Sequence, residues 1–225
     1  MAGNILRLPL RLIPRGLAMP VVSGPLRGYR WIVGSGVHGV WIGSYERTKL
    51  LRVQAALSPG DVFFDIGAHA GIYSLAAARV LGEGGAIVAV EPNSANAARF
   101  VRHMSLNGID SVRLIQAAAS DVAGRATFSE GPNDYEGRLD PEGEVAVETV
   151  RLDDIQPAPS VIKIDVEGHE AAVLRGARRI LDVDRPVVFV AVHGAAQHSE
   201  CVQILEKCGY DIEWLDLDEL VARPR

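Results

Sequence analysis

From residue 61 onward, short apolar runs alternate with helical stretches, and no other feature constrains the fold of this chain as much. The runs 61–67 (DVFFDIG), 86–92 (AIVAVEP), 112–120 (VRLIQAAAS), 161–168 (VIKIDVEG), 186–194 (PVVFVAVHG) and 210–217 (YDIEWLDL) are short and mostly apolar. That is the pattern of strands covered on both faces. Between them, 72–82 is alanine-rich and closed by Gly82, 93–108 has Asn93 or Ser94 as a cap, and 169–182 and 199–209 complete the series. Each reads as a helix. Buried strands joined through helices run parallel with right-handed crossovers, so the expected fold is α/β, a doubly wound, mostly parallel sheet. The rhythm breaks at 121–160. There RATFSE (125–130) and EVAVETVRL (144–152) read as an inserted β-hairpin. The acidic, turn-rich stretch between them is either a solvated loop or a lid over a substrate.

The first strand runs into FFDIGAHAGIYSL (63–75), which joins a strand end, an acid, two glycines four apart and a helix start. In an open α/β sheet, ligands sit at such carboxyl ends. Asp65, Gly67 and Gly71 form D-x-G-x-x-x-G. A dinucleotide turn needs glycine where His69 stands, and a phosphate loop needs a Gly-Lys-Ser/Thr that is absent. An acid at the strand end repels a pyrophosphate and attracts an ammonium. Glu91 closes the second strand, where a carboxylate can accept both ribose hydroxyls. The third strand ends at Ser120 and Asp121, where an acid can accept a bond from an adenine amino group. Taken singly, each acid has a plainer reading: Asp65 as a helix cap, Glu91 as a surface acid before a proline, Asp121 as a turn residue. Together they match the ammonium, ribose and adenine of S-adenosylmethionine.

With VAVEPNSAN, AAASDVAG, VRLDDI, IKIDVEGHEAAVLRGA and VVFVAVHG, these stretches make the chain resemble the FkbM-type family of S-adenosylmethionine-dependent methyltransferases. The likeness runs from about residue 39, where GVWIGSYE (39–46) looks like the family's lead-in, to about 210, and KIDVEGHE is its most specific piece. It implies a class I, Rossmann-like methyltransferase domain with S-adenosylmethionine as cofactor. It places Glu46, Asp65, Gly67, Ala68, His69, Gly71, Glu91, Pro92, Ser120 and Asp121 around that cofactor, and Asp165 beside the sulfonium and the acceptor. The implied acceptor is a hydroxyl on a sugar, lipid or secondary metabolite. Two positions depart from the family: His69 stands where Asn is common, and Ala191 where an acid is common. The expected division is an N-terminal basic arm and lead-in, residues 1–50, and the methyltransferase domain, residues 51–225.

Methyl transfer to oxygen needs alignment of the acceptor and a group to take its proton. Asp165 and Glu167 lie two apart at the end of the fourth strand and so share a face. His169 and Glu170 open the next helix, and His193 ends the fifth strand. The candidate catalytic residues are Asp165, His193, Glu167 and His169. The base is either His193 or Asp165, with Glu167 orienting substrate or a histidine. His169 reads equally as a helix-end partner. His38 and His103 read as surface or packing residues. If Asp165, Glu167, His169 and His193 converge they would suit a divalent ion; a metal-free site is the favoured reading.

The net charge of −5 points to neither nucleic acid nor an anionic membrane. Residues 1–60 nevertheless carry eight Lys/Arg against one acid, Glu46. This basic arm is either packed on the acidic body or in contact with an anionic substrate, partner or membrane surface. Its apolar start is interrupted by Arg7, Arg11 and Arg15 and broken by Pro9, Pro14 and Pro20, so it reads as an irregular arm without a membrane span. Cys201 and Cys208, two turns apart on one helix, are too far apart for a disulfide, which suggests a reduced, cytoplasmic protein. A monomer or homodimer is expected. A non-catalytic cofactor-binding partner of a glycan or lipid assembly enzyme is the alternative function.

Overall fold

The computed structural model describes residues 13–131 and 137–225. The start of the expected arm and the tip of the insertion therefore lie outside the described residues. A seven-stranded sheet forms the centre. In chain order its strands are β3 (Val62–Ile66), β4 (Ala86–Val90), β5 (Val112–Ile115), β10 (Val161–Ile164), β11 (Val187–Ala191), β12 (Tyr210–Trp214) and β13 (Glu219–Pro224). Their spatial order is β12-β13-β11-β10-β3-β4-β5. The pairs from β11 to β5 are parallel. β13 runs antiparallel between β11 and β12. The expected doubly wound, mostly parallel sheet is thus present, and β13 is an addition to it. Its sequence, ELVARP, is too short and too mixed to read as a strand alone. It is held in place because Leu220, Val221 and Ala222 are buried between its neighbours.

Alternation of side chains along the strands builds a core on each face. On β3, Phe63 packs into one layer with Leu75, Ile87 and Phe100. Its neighbour Phe64 packs into the other with Val88, Ile162 and Val190. Full burial of each such side chain contributes about 1.5–3 kcal/mol. The first layer is closed by α3 (Ile72–Leu81), α4 (Ser94–Leu106) and a helix absent from the expected order, α2 (Arg47–Ala56). The expected boundary at residues 50 and 51 falls inside α2. Residues of the described lead-in, Trp31, Val40 and Trp41 among them, are buried in this same layer.

Two expected elements are divided. The run 112–120 bends after β5, where Ala117 N–H donates to Ile115 O, and Ala118–Ala119 (β6) joins a second sheet. That sheet contains the expected hairpin, β7 (Gly124–Ser129) with β9 (Val145–Val150), and adds β8 (Arg138–Leu139), in the order β6-β9-β7-β8. The helix expected over 169–182 ends after α5 (Glu170–Arg175). The Asp153 carboxylate then accepts from Arg179 N and Ile180 N, which starts a separate wide turn at Ile180–Asp184. In α6 (Ala195–Lys207), Asn93-type capping is missing, whereas Asn93 itself caps α4 through Ala95 N and Asn96 N. Cys201 and Cys208 are buried free thiols. Among the described residues no helix is long and apolar enough to cross a membrane.

Candidate active site

The carboxyl ends of β3, β4 and β10 open onto a cavity of about 320 Å³, within the usual range for small-molecule sites. Its floor is the turn after β3. Gly67 has φ 72°, and a Cβ there would lie 1.8 Å from the Asp165 carbonyl oxygen. Only glycine allows the two strand ends to approach this closely. Gly67 N and Ala68 N donate to Val90 O, which fastens the turn to the end of β4. His69 follows with φ 49°. That left-handed conformation favours Asn among non-glycine residues, which accounts for the residue common at this position in the resembling family.

Glu91 is held by the turn itself. His69 N donates to its Oε2 at 2.8 Å and Asn93 N to its Oε1 at 2.9 Å. Burial pushes its pKa up, and these two bonds oppose the shift. The Asn96 side chain adds a third bond that acts in the same direction. Glu46 enters from the start of α2 and accepts from the Tyr73 hydroxyl, whose pKa burial raises well above its ordinary value.

Glu46, Gly67, Ala68, His69, Glu91, Pro92, Asp165, Glu167 and His169 all line this cavity. Gly71, with φ 91°, lies behind the wall and starts α3. Three other expected cofactor contacts are placed elsewhere. Asp65 is fully buried, and its Oδ2 accepts from Ser74 Oγ at 2.7 Å. Its Oδ1 lies 3.7 Å from Lys163 Nζ. Asp121 points outward and pairs with Arg175 at 2.9 Å, which contributes to holding its pKa low. Ser120 contacts Asp121 and His169. The bend after β5 is the physical reason, because it sends Ala118 and Ala119 to the cavity wall in their place.

Lys163 was not singled out by the sequence reading. It is the one polar residue of the otherwise apolar VIKI strand, and that interruption was the available signal. Its Nζ donates to Gly67 O at 2.9 Å and lies 3.6 Å from Asp165 Oδ2. It also sits over the Tyr73 ring. The surrounding carboxylates raise its pKa against the effect of burial.

The expected catalytic residues separate into two groups. Asp165, Glu167 and His193 come together, with His193 Nε2 3.9 Å from Asp165 Oδ1 and 3.7 Å from Glu167 Oε2. His169 turns away, and its Nε2 is 3.0 Å from Ser120 Oγ. His193 donates Nδ1–H to the buried Glu170, which, with the nearby carboxylates, raises its pKa to about 9. Its Nε2 is left facing Asp165 and Glu167. Opposite Ala191, where the resembling family commonly has an acid, the β11–β13 register places Glu219.

A central parallel sheet with one antiparallel strand, opening at its carboxyl edge onto a glycine turn, is the fold of the class I S-adenosylmethionine-dependent methyltransferases. Three solved structures share it. An FkbM methyltransferase from Methylobacillus flagellatus is 23% identical with a TM-score of 0.58, over 80% of this chain and 46% of that one. A precorrin-6y C5,15-methyltransferase from Geobacter metallireducens is 18% identical with a TM-score of 0.55, over 80% of this chain and 89% of that one. An S-adenosylmethionine-dependent O-methyltransferase from Thermotoga maritima is 13% identical with a TM-score of 0.53, over 79% of this chain and 65% of that one. The chain spans about half the length of the first. Residues 65–212 match the methyltransferase FkbM domain, and the chain belongs to that family. A curated relative, the hexuronic acid methyltransferase AglP of Haloferax volcanii, is 27% identical over 186 residues, 79% of this chain and 74% of the relative.

Proposed function

We propose that this methyltransferase transfers a methyl group from S-adenosylmethionine to a hydroxyl of a sugar, with a uronic acid as the first acceptor class to try. The observation that carries the reading is the Glu91 carboxylate, fixed by two backbone donors of the glycine turn and lining the same cavity as Asp165 and Glu167. The residues fit the cofactor. The close approach at Gly67 leaves the turn backbone bare toward the cavity, and the Glu91 carboxylate stands at the strand end where a ribose hydroxyl would be accepted. Tyr45, Glu46 and His69 complete the wall around them. When bound, S-adenosylmethionine supplies an electrophilic methyl group on a sulfonium.

The protein's task is to align the acceptor oxygen behind that methyl and to take up its proton. Asp165 holds the position for both roles. It lines the cavity and lies between Lys163 and His193. With donor and acceptor bound, its carboxylate would take the acceptor's hydroxyl proton as the methyl group passes to that oxygen. His193, anchored through Nδ1 to Glu170, flanks Asp165 and Glu167. The hexuronic acid acceptor is taken from the name of the AglP relative, and Arg138 on the cavity wall is a basic group suited to a carboxylate-bearing sugar.

The test is methyl transfer from labelled S-adenosylmethionine to a panel of uronic acids and neutral sugars, with wild type and Asp165→Asn side by side. A methyl ether on a uronic acid, lowered about 10²–10⁴-fold by the substitution, is expected for loss of a proton acceptor. Equal turnover by Asp165→Asn would remove Asp165 from that role.

A further inference from the structure

We infer that Asp165, Glu167 and His193 form a divalent-cation site at the cavity rim, which holds an acceptor offering two neighbouring oxygens. One ligand atom from each residue lies within 4.8 Å of the others. The separations of 3.7 and 3.9 Å from His193 Nε2 exceed hydrogen-bonding distance. Atoms that share an ion at about 2.1 Å each lie about 3–4.2 Å apart. Both His193 separations fall in that range, and the third pair lies within 4.8 Å. The strands set that spacing. β10 and β11 pair in register up to Ile164 and Val190, so the segments that carry the three residues leave the sheet side by side.

A second, independent observation is Glu170, whose carboxylate is fully buried behind the trio. Its Oε1 accepts from His193 Nδ1 at 2.9 Å and from Gly168 N at 2.8 Å. Its Oε2 is buried with no hydrogen-bond partner among the described residues. A histidine whose Nδ1–H is committed to a carboxylate presents Nε2 as the ligating atom, and metal-binding histidines commonly have this arrangement. Here Nε2 faces Asp165 and Glu167. His169, expected with this set, is engaged by Ser120 and is not part of it.

Two carboxylates and one imidazole suit a cation such as Mn²⁺. Three protein ligands leave coordination positions free, and Asp165 and Glu167 line the cavity into which those positions open. A hydroxyl beside a carboxylate, or beside a second hydroxyl, would fill two of them. Asp165 coordinates through Oδ1, which faces His193, and keeps Oδ2, which faces Lys163, for the acceptor's proton. The acceptor class rests on the methyl-transfer reading; the cation site does not.

The experiment is titration of the full chain with Mn²⁺, followed by electron paramagnetic resonance of the free ion, with and without S-adenosylhomocysteine. Glu167→Gln, Glu167→Gln/His193→Asn and Glu170→Gln are run beside wild type, with circular dichroism to check folding. One saturable Mn²⁺ per chain is expected. Glu167→Gln, a change at a partly exposed position, should weaken it at least about tenfold, and Glu170→Gln about 10–100-fold by releasing the histidine. Absence of saturable binding to wild type, or wild-type binding by the folded double variant, overturns the site. If S-adenosylhomocysteine itself fails to bind, the donor reading fails, and the titration without it still decides the cation site by the same criterion.

Discussion

His193 Nδ1 and Glu170 Oε1 are 2.9 Å apart, joining a half-exposed histidine at the cavity rim to a carboxylate with no solvent exposure. The bond turns a helix-opening acid into a support for the site. The same Glu170 oxygen also accepts from Gly168 N, so it ties the end of the β10 segment to that of β11. Glu170→Gln weakens both bonds, and a charge-assisted bond contributes about 1.5–3 kcal/mol. Urea denaturation should show a loss of that size, and kcat should fall while affinity for S-adenosylhomocysteine holds. A fall in that affinity equal to the fall in kcat would mean that Glu170 supports the whole cavity and not the rim.

Gly67 and Gly60 make a matched pair. Both have positive φ, 72° and 87°. A Cβ at Gly67 would run into the Asp165 carbonyl, while one at Gly60 would meet open space. Gly60→Ala should cost about 1–2 kcal/mol, the backbone cost alone. Gly67→Ala adds a clash with rigid backbone, about 1–3 kcal/mol more, and should abolish ligand binding. Thermal denaturation of the two variants measures the difference. Equal losses would show that the strand ends can part.

Among the described residues, Lys163 is the cation paired with the buried Asp65 carboxylate. Lys163→Met leaves that carboxylate buried and uncompensated, a loss of about 3–5 kcal/mol. Lys163→Met with Asp65→Asn removes both charges and should recover part of it. The coupling in this double-mutant cycle reads the pair directly. Strict additivity of the two losses would mean that the residues are near each other without interacting.

His103 carries the pH dependence of the lead-in. It is fully buried and stacked on Trp31. Its Nδ1–H donates to Ala70 O and its Nε2 accepts from Ile32 N, so the neutral ring satisfies both partners. Burial lowers its pKa from 6.5 to about 4. The unfolded chain therefore binds a proton that the folded one refuses. Stability from this residue is complete above pH 6.5 and falls as the pH drops toward 4, by about 3 kcal/mol at most. Urea midpoints between pH 7 and 4 should show that slope, reduced in His103→Gln. An unchanged slope in the variant would assign the acid sensitivity to other groups.

What was legible in the sequence is what local chain geometry fixes. Gly67, His69 and Glu91 belong to one strand–turn–helix unit and its neighbouring strand end, so their spacing alone marks a ligand turn. Asp165 and Glu167 were read as sharing a strand face, but β10 ends at Ile164 and the turn after it, with Glu167 at φ 55°, brings both to the cavity. Lys163 was not legible, because its role comes from β3 and β10 lying side by side, a contact between residues nearly a hundred positions apart. The pairing of Asp121 with Arg175 was not legible, because it follows from the bend at Ala117. The bond from His193 to Glu170 was not legible either, since the two meet only in the folded chain. β13 was missed because burial between β11 and β12, and not its own pattern, makes it a strand.

The most direct test of the account is calorimetric titration of the purified chain with S-adenosylhomocysteine, with NADH and Glu91→Ala as controls. Saturable binding of one molecule per chain, absent with NADH and weakened at least about tenfold in Glu91→Ala, is the predicted result; two lost hydrogen bonds to a charged group account for a change of that size. No binding by the folded wild-type chain, or equal binding by the folded Glu91→Ala variant, would contradict the assignment of this cavity to the methyl donor.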